Sequence, residues 1–101
     1  MKMEVIKEGT SATIKPGVKL NASRQQEIKT VMEELQREGF LFIILDFAMV
    51  EAIDKQVLYY FLVFQKKFKE SGGEVLIKNA VNPRVKHILE MIQLAKVIPV
   101  K

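Results

Sequence analysis

The chain contains no cysteine, which excludes disulfides, thiolate zinc sites and cysteine nucleophiles. One histidine, His87, is present, too few for a histidine metal cluster. His87 lies between Val85 and Ile88 in a segment of helical period and has no nameable catalytic partner, so a partly exposed helix residue is the simpler reading. No Gly-x-Ser-x-Gly elbow occurs, and Gly72-Gly73 lacks the spacing of a phosphate-binding loop and follows a helical pattern rather than a strand. No apolar run approaches the roughly 20 residues that span a bilayer, and Met1-Lys2-Met3-Glu4 does not resemble a secretory signal. The expectation is a cytoplasmic protein that is not an enzyme, with no cofactor and no metal.

What is present suits one folded α/β domain over residues 1–101, with an apolar fraction of 49% that argues against disorder. The net charge of +4 is unevenly spread. Residues 1–54 carry seven basic and nine acidic groups, a net of −2, and residues 55–101 carry nine and three, a net of +6. A basic second half would suit an acidic protein, a phosphate-bearing ligand or nucleic acid. The lysines are scattered, however, and no aromatic residues interleave with basic ones on a strand, so a lysine-coated surface is favoured and nucleic acid is not expected.

The pattern is organised around Phe40 to Leu58. Phe40-Leu41-Phe42-Ile43-Ile44-Leu45 is a continuous apolar run closed by Asp46, which reads as a strand covered on both faces. Asp54 then precedes a helical segment, where its carboxylate is expected to cap the helix. Before this core, Met3–Lys7 and Ala12–Lys15 read as two short paired strands with a turn at Gly9, and Pro16-Gly17 closes the second. Ser23, with Gln26 at capping-box spacing, opens a helix whose buried stripe is Ile28, Val31, Met32 and Leu35 and which ends at Gly39. After the core, a second helix over Lys55 to Ser71 buries Val57, Phe61, Phe64 and Phe68 and stops at Gly72-Gly73. Glu74–Lys78 is a further strand. Asn82-Pro83 starts a third helix, buried at Val85, Ile88, Leu89 and Ile92. Val97-Ile98-Pro99-Val100 is read as a last strand at a sheet edge. The order β-β-α-β-α-β-α-β predicts a four- to five-stranded, mostly parallel sheet covered by helices.

Two features carry candidate chemistry. Asp46 and Asp54, at the strand end and the helix start, would permit a weak magnesium site or an acid–base pair if they met; strand-end and capping roles are the simpler reading. On the second helix, Tyr59, Tyr60 and Val63 are hard to bury with the phenylalanine stripe. Together with Gln56 they suggest an exposed protein-docking patch beside the helix start. The lysines Lys66, Lys67 and Lys69 sit in that helix's last turns, where cations complement its dipole.

The combination of Phe42-Ile43-Ile44-Leu45-Asp46, Ile53-Asp54 with Leu58, a helix ending in Gly72-Gly73, Val75-Leu76-Ile77, Asn82-Pro83-Arg84-Val85 and Leu94 to Val100 resembles the STAS domain family, the fold of bacterial anti-sigma-factor antagonists. The resemblance runs over roughly residues 40–100; in the first 39 only the element order agrees. It implies binding rather than catalysis. In that family the corner before the helix reads Asp-Ser-Ser-Gly-Leu or similar, and a Ser or Thr at the helix start is phosphorylated by a partner kinase that doubles as an anti-sigma factor. Here the corner is Asp54-Lys55-Gln56-Val57-Leu58: Asp54 and Leu58 match, and both serines and the glycine are replaced. The resemblance thus implies a docking surface of Asp54, Lys55, Gln56, Tyr59, Tyr60 and Val63 for an anti-sigma factor or histidine-kinase-like serine kinase in sigma-factor regulation, without the usual phosphoacceptor. Self-association as a homodimer is left open. The alternative is a STAS-like domain holding a nucleotide or other anion at the positive end of the second helix.

Overall fold

The computed structural model describes residues 3–101; Met1 and Lys2, where no secretory leader is read, lie outside the described residues. The elements are β1 (Glu4–Glu8), β2 (Ser11–Lys15), β3 (Lys19–Leu20), α1 (Gln25–Arg37), β4 (Phe42–Asp46), β5 (Ala52–Ile53), α2 (Lys55–Glu70), β6 (Glu74–Lys78) and α3 (Pro83–Met91), with single 3-10 turns at Ala22–Arg24 and Leu94–Lys96. Strands β1-β2-β4-β6 form one sheet in that order. The β1–β2 hairpin is antiparallel and turns at Gly9 with φ +59°, while β2, β4 and β6 are parallel. The mixed, mostly parallel sheet with three helices is as expected. The read last strand shrinks to one parallel bridge between Ile77 and Val100. Pro99 fits at this edge because only its carbonyl is used, accepting from Ile77 N–H at 2.9 Å.

All three helices pack on one face of the sheet. Ala12, Ile14, Ile43, Leu45, Val75 and Ile77 are buried there in one cluster with Ile28, Met32 and Leu35 of α1, Val57, Phe61 and Phe68 of α2, and Val85 and Leu89 of α3. The alternate residues of the same strands are not covered: Phe42 and Ile6 are exposed, and Ile44 and Leu76 are half-buried. This corrects the reading of Phe40 to Leu45 as a strand covered on both faces. Continuous apolarity marks two covered faces only on average, and here the second face is apolar without a cover.

The helix ends follow local chemistry. Asn82 caps α3 as expected, its Oδ1 accepting from Arg84 N–H at 2.9 Å and Val85 N–H at 3.3 Å, with Pro83 at the first helical position. At the end of α2, Gly72 takes φ +91°, and a Cβ on Gly73 would lie 2.4 Å from the Phe68 ring, so the pair both turns the chain and admits that ring. The capping box at Ser23 does not form. The Ser23 hydroxyl donates to Asn21 Oδ1 at 2.6 Å, a 3-10 turn intervenes, and α1 begins at Gln25 without a side-chain cap.

Candidate protein-docking site

The start of α2 is held by a joint that sequence alone does not reveal. β5 pairs in parallel with β3, a two-residue ladder beside the main sheet. Immediately after β5, Asp54 N–H donates to Leu20 C=O at 3.0 Å, and the Asp54 carbonyl accepts from Val57 and Leu58 N–H. Asp54 therefore occupies the cap position in extended conformation, but its carboxylate makes no bond to its own helix. Instead Oδ2 accepts from Ala22 N–H at 2.9 Å, satisfying the start of the 3-10 turn ahead of α1. The expected capping of α2 by this side chain is corrected: one carboxylate ties together the starts of two helical segments.

Asp46 is engaged separately. Its Oδ1 accepts from Ala48 N–H at 3.0 Å and from Asn79 Nδ2 at 3.1 Å, a strand-end turn. Asp46 and Asp54 thus serve different backbone joints, and among the described residues no group of three or more His, Asp or Glu is placed to hold a metal ion.

From this joint α2 presents an outward stripe. Lys55 and Gln56 are exposed in its first turn, and Tyr59 and Val63 follow at 54% and 55% exposure. Large apolar surface left open on a helix, next to polar residues at its start, is the composition of a protein contact. Beside it a shallow groove of about 500 Å³ is lined by Leu62, Val63, Lys66, Lys69 and Val97.

Tyr60 does not join the stripe. It is half-buried, with its ring 6.3 Å from Phe61 and 6.1 Å from Phe64 between centroids. Its hydroxyl is buried with no hydrogen-bond partner among the described residues. Burial, and then the charge of Glu33 on α1, push this phenol well above the usual tyrosine range. The expectation of an exposed Tyr60 is corrected, and the reason is periodic: residues 57, 60, 61, 64 and 68 share one side of a helix, and α1 lies against it. That spacing was available in the sequence.

Gln65 is a structural residue that the sequence reading missed. It is fully buried in α2. Its Oε1 accepts from Val75 N–H at 2.8 Å, while Nε2 donates to Val75 C=O at 3.3 Å and Val97 C=O at 3.1 Å. The amide thus replaces a missing strand at the start of β6 and anchors the C-terminal segment.

Room for a small ligand lies away from the start of α2. A cavity of about 690 Å³ between α3 and residues 95–101 is lined by Ala80, Val81, Leu89 and Val100 with Lys86, Lys96 and Glu90. The α2 start carries the Asp54 carboxylate and no glycine cradle, so it does not favour an anion.

The model of the STAS domain family matches residues 3–101, and the chain belongs to that family. Solved structures agree in fold. A Thermotoga maritima protein described as a candidate anti-sigma factor antagonist superposes with a TM-score of 0.86 at 22% identity, covering 97% of this chain and 84% of that one. The Bacillus cell fate determinant SpoIIAA in its phosphorylated form gives 0.75 at 12% identity, over 98% and 90% of the two chains. A sulfate transporter family protein from Wolinella succinogenes gives 0.76 at 16% identity, over 94% and 79%. No curated protein matches the chain. Among the described residues no helix is long and apolar enough to cross a membrane.

Proposed function

We propose that this STAS domain is a protein-interaction module of the anti-sigma-factor-antagonist kind, binding an anti-sigma factor or a histidine-kinase-like serine kinase and so acting in sigma-factor regulation. The observation that carries the reading is the exposed stripe Lys55, Gln56, Tyr59 and Val63 at the start of α2, on a fold shared with proteins described as anti-sigma factor antagonists, unphosphorylated SpoIIAA among them. Asp54 supports that stripe from below by fixing the corner, and Tyr60 supports it by packing α2 against α1. The chain acts by binding and is not an enzyme.

The corner from Asp54 to Leu58 contains no Ser or Thr. Phosphorylation at the start of α2, which would add about two negative charges to a docking surface and disrupt it, therefore has no acceptor hydroxyl there. The module is either permanently competent to bind or regulated at another position. Incubation with a cognate kinase and ATP should leave residues 54–58 unlabelled by peptide mass spectrometry; label within them contradicts the unswitched reading. The docking reading itself is tested by partner capture with wild type and a Tyr59→Glu, Val63→Glu variant. Both substitutions fall on exposed positions, so the variant should keep its melting temperature and lose the partner.

A further inference from the structure

We propose that the uncovered face of the sheet is a homodimer interface, in which two copies pack sheet to sheet about a two-fold axis running along the strands between β2 and β4. The strand register lays this face out in three rows. The middle row, from β1 to β6, is Ile6, Thr13, Ile44, Leu76. On one side of it lie Glu8, Ser11, Phe42 and Glu74. On the other side Glu4 pairs with Lys15 and Asp46 with Lys78, and Glu4, Lys15 and Asp46 border one shallow cavity. Val5 packs against the core cluster, so by strand alternation Glu4, Ile6 and Glu8 point away from the helices.

The face has an apolar centre, with Ile6 and Phe42 each 42% exposed, and its charged row alternates in sign: Glu4, Lys15, Asp46, Lys78. A second copy of this chain is the occupant that such a row fits. Rotation about an axis along the strands reverses the strand order of the facing copy, so Glu4 meets Lys78 of that copy and Lys15 meets its Asp46. The same rotation sets Ile6 on Leu76 and Thr13 on Ile44. Glu74, which would face Glu8, is drawn aside to Lys69 Nζ at 3.2 Å and Gln65 Nε2 at 3.3 Å. An axis across the strands would instead bring Glu4 onto Glu8 and set Lys15 and Asp46 against Ser11 and Phe42, leaving Lys78 on Glu74 as its one unlike pair, so the charges favour the axis along the strands. Aligned packing of sheets, with strands within about 30° of one another, is a common geometry, and a two-fold contact between like patches is the commonest form of self-association. Rim ion pairs add little affinity but fix register. Four strands of five residues make a face of roughly 15 by 17 Å, so a dimer buries only about 500 Å² in all, well short of the roughly 1,200 Å² of a standard interface, and the association expected is weak and seen only at high concentration. The helices, with the α2 stripe, lie on the far side, and docking there stands or falls separately.

The test is sedimentation velocity of the full chain from about 10 µM to about 1 mM at low salt, with melting temperatures confirming that each variant folds. Wild type should shift toward a dimer across this range. Lys78→Glu sets Glu4 against a new acid twice per dimer and should weaken association at least about tenfold, as should Glu4→Lys. Mixing the two variants restores both contacts at once and should recover the dimer. Wild type that stays monomeric at the highest concentration overturns the proposal, even if the face captures some other molecule. Single variants that associate as well as wild type, or a mixture that fails to recover, also overturn it.

Discussion

The hydroxyl of Tyr60 is a polar group buried without a partner among the described residues, and such a group costs about 1–3 kcal/mol of stability. Its ring earns that position by packing on Phe61 and Phe64. Tyr60→Phe keeps the ring and removes the orphan oxygen, so it should raise the unfolding free energy by about 1 kcal/mol in denaturant titration; an unchanged or lower value contradicts the burial. The pH dependence has a defined sign. The folded-state pKa lies above the unfolded value of about 10, so the neutral phenol's share of stability is complete below pH 10 and is lost as pH rises beyond it. Wild type should therefore lose more stability than Tyr60→Phe above that pH. Charging this position would place an acid near Glu33 inside the α1–α2 seam, which makes Tyr59 and Val63 the informative positions for a docking test.

At the scale of elements, α2 is where legibility in the sequence was most divided. Its limits, its phenylalanine stripe and its Gly72-Gly73 stop were readable, because apolar period and glycine chemistry are local signals. The side chains at its joints were not. Asp54 was legible as a cap position, but its carboxylate bonds Ala22 N–H 32 residues away, and only the β3–β5 ladder brings the two together. Gln65 lies between Phe64 and Lys66 with nothing local to mark it, and its partners Val75 and Val97 come from other elements. Gln65→Leu should leave Val75 N–H unpaired in the core and lower stability by about 2–3 kcal/mol, with early hydrogen exchange at β6 and residues 97–101. A leucine variant as stable as wild type would show that the amide does not hold this edge.

For the whole molecule, element order, a mostly parallel sheet and the family were legible from Phe42-Ile43-Ile44-Leu45-Asp46 through Asn82-Pro83, whereas the one-sided cover of the sheet was not. Six apolar residues in a row do not say how many layers lie above them; that depends on where α1, α2 and α3 all go. The result is a domain with two separate outward surfaces, the α2 stripe on the helix side and the apolar rows on the open sheet. The exposure of Lys55, Gln56, Tyr59 and Val63 at the start of α2 was legible, whereas Tyr60 is half-buried and the Asp54 carboxylate is bound to Ala22 N–H. The measurement that tests the central claim most directly is affinity capture from lysate of the source organism, read by mass spectrometry, with wild type beside the Tyr59→Glu, Val63→Glu variant. The account predicts specific recovery of an anti-sigma factor or histidine-kinase-like ATPase by wild type, lost in a variant of equal melting temperature. Equal recovery by both proteins, or none by wild type, would contradict it.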